Sequence, residues 1–458
     1  MTINLYPFQQ EDIEHLRTRK SALIINDMGT GKTYEAVARD DEIRAQEPEM
    51  PHTVRNRGTL VIGPLTILED VWQTHFHELT KLTCVVVNPK DRAGSWTEFL
   101  SRGDVFCIHW EGLRLMPELQ KFPWLHIIAD ECHRAKNRKA QQTRALKMIK
   151  GEWKTAMSGT PVINRPDEFW SILNWLYPDK YRSYWKFFNH HVEYEMVQNR
   201  GRAFRKIVGP KNTAELQTQI APFSVRRRKQ DVLKDLPDKY YTTLTVDLSP
   251  QQLRAYNTMK KDMIAWIGKQ EEEILAAPVV IAQLTRLQQF ACTYAELSDE
   301  GRVRMSEPSS KLDRVMEVLD ETEEQVVVFS RFKQVVNLLA NRLKEQGTSY
   351  VTLTGDVAQA DRSSVVQRFQ SGQARIFLGS IAAGGVGITL HSASRVIFVD
   401  RDWSPALNAQ AEDRLHRIGQ KNAVQVIDII ARGTVDLGRN QKLELKKEWI
   451  RKILGDKD

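Results

Sequence analysis

Long apolar runs are missing from this chain of 458 residues. The longest, Leu60-Val-Ile-Gly-Pro-Leu-Thr-Ile-Leu68, is about half of the ~20 residues a membrane-crossing helix needs, and a proline interrupts it. No bilayer span is expected. The opening Met-Thr-Ile-Asn-Leu-Tyr-Pro-Phe-Gln-Gln lacks the basic and apolar regions of a secretory signal, so a cytoplasmic location is expected. Cysteine is sparse: Cys84, Cys107, Cys132 and Cys292 form no C-x-x-C pair, which leaves no zinc ribbon and suits a reducing compartment. His75-x-His77 is the nearest approach to a ligand pair, but residues two apart on a helix face different ways and no third ligand is near. Both are read as surface histidines. Repeats of solenoid period and low-complexity tracts are also absent.

What is present is ordinary globular composition, 41% hydrophobic and 27% charged, in a chain long enough for about three domains or two large ones. Sixty-six Lys+Arg against 58 Asp+Glu leave a net +8, which suits a polyanionic partner without demonstrating one. Short buried runs recur at Ala22–Ile25, Leu60–Ile62, Val85–Val87, Val105–Ile108 and Ile127–Ala129, separated by helix-length stretches such as Thr33–Glu47 and Ile67–Leu79. Such alternation predicts a parallel sheet covered on both faces. It resumes at Gln325–Phe329, Val351–Leu353, Ile376–Leu378, Val396–Val399 and Val424–Ile430, with Phe332–Glu345 as an intervening helix. The fold class is therefore α/β with two tandem parallel-sheet lobes. The expected boundaries are a first lobe over 1–225 with a helical protrusion at about 166–220, a linker and second helical protrusion over 226–310, a second lobe over 311–436, and a basic helix over 437–458.

Asn26-Asp27-Met28-Gly29-Thr30-Gly31-Lys32-Thr33 follows a strand and opens a helix, the setting of a phosphate-binding loop. In that setting Lys32 reaches the β/γ-phosphates and Thr33 ligates Mg²⁺, and a mere glycine turn with an exposed lysine is the weaker reading. Asn26 stands where the strict pattern has its first glycine. Downstream, Ile127-Ile-Ala-Asp130-Glu131 puts two carboxylates at the carboxyl end of a buried strand, where open α/β sheets bind ligands. Alone they could simply cap the next helix; beside a phosphate loop, Asp130 is assigned to Mg²⁺ and Glu131 to the attacking water. A helix from Pro405 is expected to align Gln410, Arg414 and Arg417 at i, i+4 and i+7 on one face, suited to charge developing on a γ-phosphate, although such a stripe is often just solvated. The loop Ser380-Ile-Ala-Ala-Gly384-Gly385-Val-Gly387 offers backbone N–H groups to phosphate.

In order and over nearly the whole chain, these motifs resemble the superfamily 2 helicase core, specifically the Swi/Snf-type DNA translocases, whose lobes are RecA-like. Leu5-Tyr-Pro-Phe-Gln9 is similar to the family's glutamine motif, which implies adenine recognition by Gln9. Asp130-Glu-Cys-His-Arg-Ala-Lys-Asn137 and Ser158-Gly-Thr160-Pro-Val-Ile-Asn164 resemble its second and third motifs, and 221–237 its inter-lobe stretch. Asp402-Trp403-Ser-Pro and Gln410-Ala-Glu-Asp-Arg-Leu-His-Arg-Ile-Gly-Gln420 complete the resemblance. It implies ATP and Mg²⁺ as cofactors, Lys32, Asp130, Glu131, Arg414 and Arg417 as catalytic residues, and residues 27–33, Gly387 and Gln410 on the nucleotide. It further implies nucleic-acid contacts at Pro64, Thr66, Ser158, Thr160, Ser330, Arg331, Gly355, Arg362, Ser380, Gly384 and Trp403. Asn26, Ser404 and Ile388-Thr389 depart from the family pattern without removing a hydrolytic group. The expectation is a monomeric motor that couples ATP hydrolysis, on closure of its lobes, to movement along double-stranded DNA, including forked or branched DNA. Two alternatives stand beside it: a strand-separating or annealing helicase, and an ATP-gated DNA clamp with little turnover. The compact plan points to bacterial or viral cytoplasm near the nucleoid, or to a nucleus in a eukaryote. Binding by such a motor weakens with salt, log K changing by about 0.9 per phosphate neutralised.

Overall fold

The computed structural model describes residues 5–46, 57–89, 101, 103–162, 165–199, 202–233, 235–269, 277–298, 300–384, 388–438, 448 and 452. The chain divides into two compact units, one holding most of residues 1–234 and the other 235–445.

The first unit is built on a sheet of seven parallel strands in the order β3-β4-β2-β5-β6-β1-β9. Its strands are β1 Ser21–Ile24, β2 Thr59–Gly63, β3 Cys84–Val86, β4 Val105–His109, β5 Trp124–Asp130, β6 Gly151–Met157 and β9 Ser224–Val225, while β7 Val192–Asn199 and β8 Arg202–Pro210 form a separate two-stranded ribbon. Strands β1, β2 and β5 are buried along their whole length, as strands covered on both faces must be. Helix α1 Pro7–Leu16 packs on α2 Lys32–Ala45 and lies against β9, the edge strand beside β1. The core beneath gathers Phe106, Trp110, Trp124, Ile127, Phe169 and Leu173, each contributing roughly 1.5–3 kcal/mol on full burial.

The second unit has six parallel strands in the order β10-β17-β16-β13-β15-β14, with β10 Lys239–Val246, β13 Val326–Ser330, β14 Tyr350–Leu353, β15 Ile376–Ser380, β16 Arg395–Phe398 and β17 Val424–Ala431. A small antiparallel pair, β11 Tyr294–Leu297 with β12 Val303–Ser306, lies beside it. Helices Pro250–Lys269 and Ala277–Cys292 feed Tyr256, Met259, Leu287 and Phe290 into the same core as Val315 and Leu339.

Three elements differ from the sequence reading. Strand β6 lies inside the first sheet, between β5 and β1, yet its Gly-Glu-Trp-Lys start hides it; Lys20 pairs with Glu152 and Lys154 Nζ donates to Trp175 O, which accommodates both charges. The 166–220 stretch is not wholly helical, because β7 and β8 follow Tyr184–His191. Finally, 235–310 is more than linker: β10 zips along β17 through eight paired residues, as suits its β-branched and aromatic Tyr-Tyr-Thr-Thr-Leu-Thr-Val. Residues 437–458, expected as a basic helix, lie almost wholly outside the described residues.

Beneath β10 sits a buried ion cluster. Glu412 meets Lys239 at 3.2 Å and Arg401 at 2.5 Å, Arg401 also reaches Asp428 at 2.6 Å, and Tyr241 donates to Glu412 at 2.9 Å. Burial alone would raise the Glu412 carboxyl, but Lys239 and Arg401 beside it hold it down at about 2. Its folded value lies below the unfolded value of 4.5, so its stabilisation is complete above pH 4.5 and is lost as the pH falls towards 2. Thermal melts should therefore show the second unit losing stability through that window, with a smaller acid-induced loss in Glu412→Gln. An identical pH dependence in that variant would contradict this account.

Candidate active site

The loop between β1 and α2 is shaped by two left-handed glycines, Gly29 at φ 77° and Gly31 at φ 84°. Gly31 caps α2 in a left-handed conformation that strains any side chain, and a Cβ there would also push the Gln9 amide, 2.6 Å away, aside. Thr30 Oγ1 donates to Asp27 O at 2.8 Å and fixes the curl of the loop. Lys32 Nζ turns inward, donating to Asn26 O at 2.9 Å and Asp27 O at 2.8 Å. Burial lowers its pKa while Glu131 and Asp130 raise it, so both carboxylates act on this one ammonium. First-turn N–H groups of a helix lack intrahelical acceptors, and with Lys32 they suit a phosphate group. Gln9 Nε2 donates to Thr30 O at 3.0 Å while its Oε1 accepts from Tyr6 N at 2.9 Å, which fixes the amide at the loop's rim.

Asp130 ends β5, deep in the sheet. Its Oδ2 accepts from Trp72 Nε1 at 3.0 Å, its Oδ1 from Glu131 N at 2.8 Å, and its carbonyl from Trp110 Nε1 at 2.9 Å. Burial and the adjacent Glu131 push its carboxyl up to about 7, against the indole of Trp72 and the charge of Lys32. Glu131 adopts a left-handed conformation at φ 49°, unusual for a non-glycine and a frequent sign of a functional turn. Its Oε2 lies 3.2 Å from His133 Nδ1 and accepts from Ser158 Oγ at 3.4 Å, and Ser158 Oγ in turn accepts from Thr160 N at 3.1 Å. Ser158 is thus buried and joins the second motif to the third. The Asp130 carboxylate and a hydroxyl such as that of Thr33 are oxygen donors of the kind a hard cation such as Mg²⁺ prefers.

Sequence reasoning passed over what surrounds Asn26. Its buried Nδ2 donates to Asp12 Oδ2 at 2.9 Å and to both Glu35 oxygens at 3.1 Å, and its Oδ1 accepts from Arg227 N at 2.7 Å. Arg227 also bonds Asp12 at 2.7 Å; Arg226 meets Asp27 at 2.8 Å and donates to Ile25 O at 2.6 Å; and Lys229 N donates to Asp27 Oδ2 at 2.9 Å. The basic run is therefore a clip along the phosphate loop, continuing β9. Burial and neighbouring Asp12 push the Glu35 carboxyl up to about 8. An amide at position 26 can donate to both acids, whereas Asn26→Asp would set a third carboxyl among them. That variant is expected to lose ~1–3 kcal/mol, visible as a melting temperature lower by several degrees; an unchanged melt would refute it.

In the second unit the expected arginine stripe is corrected. The helix from Pro405 ends at Glu412, so Arg414 and Arg417 sit on the turn that follows it. The turn still gathers them: Arg414 Nη1 donates to Ile388 O at 3.4 Å, and Arg417 Nη1 to Ile388 O at 3.1 Å and Thr389 Oγ1 at 2.8 Å. The helix stops at its cap residue Asp413, and further on Gly419 at φ 100° and the Gln420 amide, donating to Ala393 O at 2.8 Å, shape the end of the segment that follows. Gln410 is buried on the helix. Gly387 falls outside the described residues, as does the side chain of Thr66.

The remaining nucleic-acid candidates differ in accessibility. Ser330 is buried and donates to Asp400 at 2.5 Å, so it shapes its loop from inside rather than facing solvent. Arg331 pairs with Asp402 at 3.2 Å. Ser380 is buried at the end of β15 and Gly384 closes the short helix after it. Pro64 is buried and opens the 3₁₀ turn Leu65–Ile67, Thr160 and Trp403 are half-buried, and a Cβ on Gly355 would meet only open space. Arg362 Nε donates to Val357 O at 3.3 Å.

Residues 8–295 match the SNF2-related domain and residues 310–419 the helicase conserved C-terminal domain. An uncharacterized ATP-dependent helicase of Mycoplasma genitalium is 28% identical over 98% of this chain and 42% of its own length. A putative ATP-dependent helicase/translocase of Bacillus subtilis is 28% identical over 93% of this chain and 46% of its own. The chain thus spans less than half of the length of either relative. The SWI2/SNF2 ATPase core of Sulfolobus solfataricus in complex with dsDNA aligns at 26% identity over 98% of this chain and 97% of that one, with a TM-score of 0.44. Among the described residues no helix is long and apolar enough to cross a membrane.

Proposed function

The chain belongs to the SNF2-related family, and from that membership we propose that it hydrolyses ATP under the control of DNA and uses the energy to move along the duplex. The observation that carries this reading is the assembly around Lys32: a glycine-shaped loop whose carbonyls hold its ammonium, Asp130 at the end of β5 with Glu131 just after it, and Ser158 bonded to Glu131. Lys32 and the first turn of α2 hold the β- and γ-phosphates, Gln9 reads the adenine edge, and Glu131 orients the attacking water and takes its proton. Thr33 and Asp130 would hold Mg²⁺, which when bound would supply neutralisation of the phosphate charge. In the second unit, Arg414 and Arg417 converge on Ile388 O, and two guanidinium groups so gathered suit charge developing on a phosphoryl group. The basic balance of +8 suits a partner gripped by its phosphates without sequence preference.

ATP turnover measured without nucleic acid and with single-stranded DNA, duplex DNA, forks and RNA tests the reading. Stimulation by duplex, together with displacement of a triplex-forming strand from an intact duplex, is the expected result. Turnover indifferent to all of these would overturn it, and release of a labelled duplex strand would make the chain a strand-separating helicase.

A further inference from the structure

Strand β2 ends at Gly63, and the chain then runs through Pro64 and the 3₁₀ turn Leu65–Ile67 into a π-helix, Leu68–Gln73. Widened turns of this kind are rare and are commonly found where a side chain must be delivered to a functional site. Here the side chain is Trp72. It is fully buried, stacks at 6.1 Å on Phe76, and its Nε1 donates to Asp130 Oδ2 at 3.0 Å. Gly63 lies alongside both groups: a Cβ there would sit 3.3 Å from Leu68 Cδ2 and in ordinary contact with Trp72 Nε1 at 3.6 Å and Asp130 Cβ at 3.8 Å.

Both oxygens of Asp130 therefore have a donor, one from the backbone of Glu131 and one from a segment of a different strand connection. The backbone bond belongs to the strand end itself and orients one oxygen. The indole fixes the plane of the carboxylate about its remaining torsion. A ligand-side carboxylate oriented in this way has a preset direction for its free lone pairs, and loss of such an outer partner typically weakens metal binding by about 10–100-fold. We infer that Trp72 is a positioning residue: through its indole N–H it sets the geometry with which Asp130 receives Mg²⁺·ATP. The inference rests on the nucleotide reading above and deepens it by placing metal affinity under the control of the segment that starts at Pro64.

Trp72→Phe removes the donor and keeps an aromatic ring. Binding of a fluorescent, non-hydrolysable ATP analogue is titrated against Mg²⁺ in the absence of DNA. The variant is expected to need about 10-fold more Mg²⁺ for half-maximal binding while its affinity at saturating Mg²⁺ stays within about threefold of the parent. Trp72→His, which retains a ring N–H, is expected to recover most of the difference, whereas Phe76→Leu, which disturbs only the neighbouring packing, should leave the Mg²⁺ requirement unchanged. An unchanged requirement in folded Trp72→Phe, or an equal rise in Phe76→Leu, overturns the inference. Should Trp72→Phe not fold, Trp72→Leu, a smaller side chain that likewise lacks the indole N–H, poses the same question: a raised Mg²⁺ requirement supports the inference and an unchanged one overturns it. If the parent protein itself binds no analogue at any Mg²⁺ concentration, the nucleotide reading fails and this inference with it; if it binds and the variants match it, only the role of Trp72 fails.

Discussion

Replacing Lys32 by Ala is expected to cut DNA-stimulated ATP turnover by at least ~10²–10³-fold, the scale seen when one preorganised donor to a developing charge is removed. The expectation follows from where the ammonium sits. It is folded into the loop against the carbonyls of Asn26 and Asp27, and Glu131 and Asp130 both act on it. Alanine would leave those carbonyls and carboxylates facing a triphosphate without the cation that offsets them. Nucleotide affinity should fall together with the rate, because the same ammonium serves the bound and the reacting phosphate. Preserved stimulated turnover in the purified, folded variant would refute the assignment.

The second large effect separates chemistry from binding. Glu131→Gln keeps the size of the side chain and can still meet Ser158 and His133, which lie at 3.4 and 3.2 Å. It loses the ability to accept a proton from water, a contribution of roughly 10²–10⁴-fold in enzymes that use positioned bases. Turnover should fall by that factor while affinity for the fluorescent analogue stays within a few-fold of the parent. Lys32→Ala and Glu131→Gln combined should cost far less than the product of their separate effects, since both act on a single transfer step. A Glu131→Gln protein that hydrolyses ATP at the parent rate would move the base elsewhere.

Much of this site is readable from residue order. Buried runs such as Leu60–Ile62 and Ile127–Ala129 announce their strands because both faces of each are covered, and the strand–glycine loop–helix succession is the setting that a phosphate-binding loop needs. What stays hidden has physical reasons. Strand β6 carries Glu152 and Lys154 near its start, and only tertiary partners make those charges tolerable. Helical spacing of Arg414 and Arg417 predicts one face, but the helix stops at its cap residue Asp413, an end that local periodicity does not register; the two side chains meet by a different route, at Ile388 O. Trp72 reaches Asp130 across 58 positions of sequence through a π-helical turn, a contact that spacing does not encode. Asn26 looks like a departure from pattern until Asp12 and Glu35 are seen to converge on it.

The clip formed by Arg226, Arg227 and Lys229 bears on how the first lobe can be studied by itself. A fragment cut after Val225 would contain every strand of the seven-stranded sheet and so look complete. Yet it would strip Asp27 and Asp12 of their guanidinium partners and put a new terminal carboxylate beside the very loop that must receive a polyphosphate. An isolated lobe trimmed there should prove a poor nucleotide binder for reasons unrelated to its missing neighbour, whereas one carried on to residue 233 retains the cations that make the loop hospitable to anions.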